Sequence, residues 1–162
     1  MSGGNGASYP FRTFKLERQQ NLATGLEDAF AFFSDPGNLE AITPPWLHFR
    51  VVACSTQGIQ EGTLLDYRLR LHGIPIRWRT LIRSWDPPHG FVDEQLVGPY
   101  RLWVHHHTFT PLEDGGVHTT DEVTYAVPGG RLVNRLFVRP DLRRIFDYRQ
   151  EQLAALLGAK AG

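Results

Sequence analysis

From Gly62 onward, apolar and polar residues alternate over long stretches. Leu65, Tyr67, Leu69 and Leu71 are separated by Asp66, Arg68 and Arg70, and Ile76, Trp78, Thr80 and Ile82 fall opposite Arg77, Arg79 and Arg83. A period of two sends successive side chains to opposite faces of a strand, so each segment has one buried face and one wet face. The spacing predicts strands over residues 48–54, 62–71, 75–85, 91–97, 101–110 and 117–127. The later ones are joined by Asp86-Pro87-Pro88-His89, Gly98-Pro99 and Glu113-Asp114-Gly115-Gly116, which are hairpin-length links. Strands linked in this way pair with their sequence neighbours as an antiparallel meander.

Helical signals flank the meander. Residues 11–20 alternate around Phe14 and Leu16 as a first strand, and Thr24 with Glu27 forms a capping-box pattern before the stripe Leu26, Ala29, Phe30 and Phe33. Asp35-Pro36-Gly37 ends that helix near residue 34, another turn or two fits over 38–42, and Pro44-Pro45 forbids continuation. After Pro128-Gly129-Gly130 the period becomes helical, with Leu132, Leu136, Leu142, Ile145, Phe146, Leu153 and Leu156 spaced by threes and fours. Pro140 falls inside this stretch, which predicts a break at Arg139 and a main helix starting at Pro140. The sum is an α+β, helix-grip arrangement: a curved six- to seven-stranded antiparallel sheet wrapped around a long C-terminal helix, with two short helices after the first strand. Residues 1–9, rich in Gly, Ser and Asn, are expected to be a disordered lead, and one domain is expected over 10–158.

Composition narrows the function classes. At 162 residues a single core is the economical reading, and 17 basic residues against 17 acidic give no net attraction to nucleic acid or an anionic membrane. The arginine row on the opposite sheet face reads as a solvated surface balanced by acids such as Asp66, with no aromatic stacking platform for RNA. No apolar run reaches the roughly 20 residues that span a bilayer, so membrane insertion is not expected. The start of the chain lacks a basic-then-apolar signal and Cys54 has no second cysteine, which makes the cytoplasm the expected compartment. Cys54 itself reads as a buried strand residue and not as a nucleophile.

A strongly twisted sheet and one amphipathic helix leave a gap between them. The short helices can plug one end, leaving a concave apolar space of the kind that holds a ligand. Trp78, Trp103, Tyr67, Tyr125 and Phe109 are bulky enough to fill much of that space as core instead. Pairing the last two strands across their turn puts His107 beside Thr119 and His105 beside Asp121. Trp103, His105, His107, Phe109, Asp121, Val123 and Tyr125 then share the apolar face. Buried ionisable groups require mutual hydrogen bonds or a ligand, so this face is the candidate site. Glu94 is placed inward with Val92 and Leu96, near Trp78 and Trp103, with a solvated surface position as the alternative. The ligand-binding candidates are therefore Tyr67, Trp78, Glu94, Trp103, His105, His107, Asp121, Tyr125 and Phe146. His105 and Asp121 are the catalytic candidates if there is chemistry. His105 and His107, two apart on a strand, with Asp121 across the ladder offer metal-type ligands, but no fourth ligand has a defined spacing, so neither metal nor cofactor is expected.

Particular stretches add a resemblance. LERQQ, EDAFAFFSDPGNLEAITPPWLHFRV, GIPIRWRT, FVDEQLVGPYRLWVHHHTF, DEVTYAVPGG and LFVRPDLRRIFDYRQ resemble the ligand-binding proteins of the SRPBCC superfamily, which includes START domains, pollen-allergen-like proteins and polyketide cyclase/dehydratase-like proteins. The likeness covers nearly the whole chain after Tyr9 and implies the helix-grip fold. It implies no reaction, because carriers, sensors and enzymes share the scaffold. A binding or carrier protein for a small apolar or amphipathic molecule is the leading expectation. A cyclase-, dehydratase- or hydrolase-type enzyme using a His–Asp pair is the alternative. A protein-interaction domain using the Pro44-Pro45-Trp46 loop or the arginine face is the third, and a homodimer is compatible with any of them.

Overall fold

The computed structural model describes residues 8–160, so most of the expected N-terminal lead lies outside the described residues. Seven antiparallel strands form one sheet in the order β1-β7-β6-β5-β4-β3-β2. They are β1 (Phe14–Leu22), β2 (Arg50–Cys54), β3 (Leu64–Leu71), β4 (Ile74–Asp86), β5 (Gly90–Val97), β6 (Leu102–Pro111) and β7 (Val117–Ala126). Helix α1 (Leu26–Phe33) and single 3-10 turns at Pro36–Asn38 and Pro45–Leu47 follow β1, and α2 (Gly130–Val133) leads toward the long α3 (Arg139–Leu157). The consecutive strands β2 to β7 pair as the meander the link lengths imply, and β1 closes against β7, with Phe14 opposite Tyr125. The β3–β4 link is the two-residue turn His72-Gly73, both at positive φ (49° and 80°). That is the backbone a tight hairpin requires, and glycine supplies it without a Cβ clash.

Two apolar clusters hold the layers together. One packs Ala29, Phe30 and Phe33 of α1 on Phe91, Phe109 and Val117 of the sheet and Leu153 of α3. The other packs Leu142 and Phe146 of α3 on Trp103, Val123 and Tyr125. A third, smaller cluster of Leu102, Val104 and Ala126 lies on the outer face beneath Tyr9 and Phe11, so Phe11 covers the sheet from outside and does not start β1.

Several local expectations shift, each for a visible reason. The N-cap of α1 is Gly25 and not Thr24, because the Ala23 and Thr24 amides donate to Gly158 and Leu157 carbonyls at the end of α3 (2.9 and 3.2 Å). The chain does not break at Pro140. Asn134–Val138 forms a π turn whose wider path continues in helical geometry into α3, and such a turn is one way to relieve the clash of a proline ring with the preceding turn. Asn134 is the buried member of this turn, 5% exposed. Its neighbours Leu132, Leu136 and Phe137 therefore point outward, so the apolar stripe expected from Leu132 and Leu136 is not buried. Leu156 is likewise exposed. Cys54, on edge strand β2, is exposed and not buried as expected. Among the described residues no helix is long and apolar enough to cross a membrane.

Candidate ligand cavity and its histidine–aspartate cluster

The inward row of β6 reads Trp103, His105, His107, Phe109. Trp103 belongs to the apolar cluster under the first half of α3 and Phe109 to the cluster under α1. The two histidines occupy the interval between these cores. Next to them lies a cavity of about 200 Å³, walled by Phe33 and Ile42 on one side, by Tyr67 and Trp78 on another, and by Phe146 of α3. Its size is below the roughly 300–1,000 Å³ typical of sites for drug-sized molecules, which suits a smaller one.

Strand pairing carries the acids to the histidines. Asp93 of β5 stands opposite His105, and Asp121 of β7 stands opposite His107. This register differs by two residues from the expected pairing of His105 with Asp121 and His107 with Thr119. An even shift keeps every side chain on its face, so the row still points inward. The hydrogen bonds run along the diagonals of the ladder: His105 Nε2 to Asp121 Oδ1 at 2.8 Å and His107 Nε2 to Asp93 Oδ2 at 2.7 Å. His107 Nδ1 also lies 2.9 Å from Asp121 Oδ1, at an angle too poor for a hydrogen bond. The two imidazoles lie against each other with centroids 3.7 Å apart, and His107 stacks on Phe91 at 4.1 Å. Arg149 of α3 completes the group, with Nε 3.4 Å from Asp121 Oδ2 and its guanidinium 5.2 Å from the Phe33 ring centre.

The electrostatics follow from burial against pairing. Burial would raise the Asp121 carboxyl, but Arg149 and the two histidines together hold it well below the usual range. Asp93 is also lowered: burial opposes, and the His107 bond with the nearby histidine and arginine charges outweighs it. The histidines are pushed apart. Burial and the neighbouring His107 charge depress His105 despite its bond to Asp121, whereas for His107 the two carboxylates overcome burial and raise it. His105 thus favours the neutral imidazole and His107 the form that shares a proton with its acids. Burial also pushes the phenols of Tyr67 and Tyr100 up, so they stay neutral on the cavity wall.

Of the residues singled out from sequence, Tyr67, Trp78, Trp103, His105, His107 and Phe146 line the cavity. Asp121 lies behind the histidines and acts on them from there. Tyr125 sits in the core beneath, its hydroxyl donating to Asn134 Oδ1 at 2.9 Å. Glu94 does not face the cavity. Phe91 turns inward, so Asp93 shares its face while Glu94 emerges on the outer side, 3.5 Å from Arg83 Nη1. The bulky Phe91 at the start of the strand was the available signal for this face. Arg149 was also legible in principle, since 142, 146, 149 and 153 are spaced by fours and threes, and Leu142, Phe146 and Leu153 are the buried residues of α3.

Comparison with solved structures agrees with this architecture, although no family model matches the sequence and no curated protein matches it. Protein Ms6760 from Mycobacterium smegmatis is 20% identical, with a TM-score of 0.65 over 88% of this chain and 90% of that one. The di-domain ARO/CYC StfQ from the steffimycin biosynthetic pathway is 16% identical, TM-score 0.72, matching 90% of this chain to 50% of its own length. A point mutant of norcoclaurine synthase from Thalictrum flavum, in complex with a transition-state analogue, is 15% identical, TM-score 0.66, over 91% and 98%. The chain shares the helix-grip fold of these structures.

Proposed function

We propose that this chain binds a small, largely apolar molecule in the cavity between sheet and α3, with the polar end of that molecule against Asp93, His105, His107 and Arg149. The observation that carries this reading is the convergence of a buried charged cluster on the wall of an otherwise apolar cavity. A folded core gains nothing from such a cluster unless each group is satisfied, and here the His107 Nδ1 and Arg149 Nε atoms are buried without a well-formed hydrogen bond among the described residues. The fold supports the reading, since the norcoclaurine synthase that shares it is found with a transition-state analogue.

Binding is tested with 1-anilinonaphthalene-8-sulfonate, read by energy transfer from the tryptophans, of which Trp78 and Trp103 line the cavity. Saturable binding of one probe per chain is expected, and Leu71→Trp, which places an indole at the cavity wall, should abolish it. Binding that persists unchanged in Leu71→Trp would place the probe elsewhere and remove the proposal. Native mass spectrometry of the protein from its own host then identifies a co-purifying occupant.

A second reading is favoured by one feature. His105 is held toward its neutral form, is oriented by Asp121, and faces the cavity. That is the arrangement of a general base acting next to a carbonyl, as in a cyclase or dehydratase. Under this reading His105→Ala loses turnover while the substrate still binds; under pure binding it weakens affinity modestly and there is no turnover to lose.

A further inference from the structure

The structure assigns Asp93, His105 and His107 as the ligands of one divalent first-row transition-metal ion, of the Zn²⁺ or Fe²⁺ type, with its remaining positions open to the cavity. Each of the three offers a ligand atom, and these atoms all lie within 4.8 Å of one another. Asp93 Oδ2 is 2.7 Å from His107 Nε2 and 3.7 Å from His105 Nδ1. An ion bonded at about 2.0–2.2 Å, with angles near 90–110°, sets such atoms roughly 2.9–3.5 Å apart. The two Asp93 contacts must therefore shift by a few tenths of an ångström, and the two histidine nitrogens, which lie within 4.8 Å of each other, must come into the same range by rotation of the rings.

The opposite edges of the two rings carry the stronger argument. His105 Nε2 lies 2.8 Å and His107 Nδ1 2.9 Å from the same Asp121 Oδ1. His105 already turns its N–H toward Asp121, and a small rotation of the His107 ring that improves the poor angle of its Nδ1 contact does the same there; the other nitrogen of each ring then presents a lone pair toward Asp93. Two imidazole lone pairs and a carboxylate then converge with no donor between them, an arrangement that only a cation stabilises. A carboxylate holding the far N–H of ligating histidines is the usual support of such sites. In the metal-free chain the proton on the His107–Asp93 bond takes the cation's place, so metal uptake releases protons.

Charge and donor chemistry narrow the ion. Arg149, 3.4 Å from Asp121 Oδ2, offsets the supporting carboxylate and leaves Asp93 as the acid free to ligate. Two imidazoles with one carboxylate suit borderline ions such as Zn²⁺, Fe²⁺ and Co²⁺ over Ca²⁺ or Mg²⁺, which favour all-oxygen shells. This inference does not rest on the organic occupant proposed above: the ion is held by the strands alone, and an empty cavity leaves it unchanged.

The test uses the full chain stripped with a chelator, Zn²⁺ in titration calorimetry in two buffers of different ionisation enthalpy, and Co²⁺ for visible absorption. One ion per chain with proton release is expected, with loss of at least roughly 100-fold in affinity for His105→Ala/His107→Ala and roughly 10–100-fold for Asp121→Asn. Glu94→Gln on the outer face should bind as the parent does. Circular dichroism checks that the variants fold. If the double variant does not, ¹⁵N-histidine NMR of the parent decides, with Zn²⁺ shifting the ring signals of His105 and His107 ahead of the other histidines. No saturable binding by the parent, binding that survives loss of both histidines, or shifts confined to other histidines would overturn the assignment.

Discussion

Asp121→Asn keeps the side-chain shape and removes one charge from the centre of the cluster. In the parent, one Asp121 oxygen takes the 2.8 Å His105 bond and the other lies 3.4 Å from Arg149 Nε. Removing one partner of a buried ion pair costs about 3–5 kcal/mol, because the surviving charge is left in a low-dielectric interior. Here the survivor is Arg149, whose side chain is only 12% exposed and which pairs with no other acid among the described residues. For a chain of 162 residues each kcal/mol moves Tm by about 2–4 °C, so a fall of roughly 6–20 °C is expected at pH 7. Calorimetric melting of chelator-treated protein measures it. Adding Arg149→Met removes the stranded cation, and the double variant should melt above Asp121→Asn alone. The pH dependence has a definite sign. The folded carboxyl of Asp121 is held well below 3.8, so its contribution is fully present above the unfolded value and is lost as pH falls below it. The gap between parent and Asp121→Asn should therefore narrow as pH falls through the acid range below the ordinary carboxyl value of about 3.9, while near neutrality it also follows the histidines that Asp121 helps to protonate. A fall of less than about 2 °C at neutral pH, or a gap that fails to narrow as pH drops below about 3.9, would refute the claim that this carboxylate anchors the cluster.

Three further outcomes follow from placement. Asp93→Asn should weaken 1-anilinonaphthalene-8-sulfonate binding or stability measurably, whereas Glu94→Gln, one residue along and on the outer face, should leave both unchanged to within about 0.5 kcal/mol in denaturant titration. Trp103→Ala removes an indole that is 8% exposed between Trp78 and Tyr125, and should lower stability by about 3–5 kcal/mol in the same assay. Cys54 is exposed on β2, so a thiol reagent should label one equivalent in the folded protein without denaturant.

Much of the fold was legible because alternation and helical spacing are local properties. The inward row Trp103, His105, His107, Phe109 depends only on the period of a strand, and it survived a two-residue error in pairing because the error was even. The face of β5 was misread because Phe91-Val92-Asp93-Glu94 offers an apolar residue and an acid to each side. The choice between faces is settled where Phe91 packs against Phe30 and His107. The helical run after Gly130 looked interrupted because Pro140 forbids an ordinary turn, and a π turn is not encoded in apolar spacing.

The sequence by itself determined which side chains share a face, how many strands lie in the meander, and that two histidines and an acid are turned away from water. Only the tertiary structure decided which acids meet which nitrogens, since Asp93, His107 and Asp121 come from three strands and Arg149 from a helix after the last of them. Periodicity is set within a few residues of chain by backbone geometry. The cluster depends on register across the sheet and on where α3 lies over it, and both are settled by the packing of the whole core.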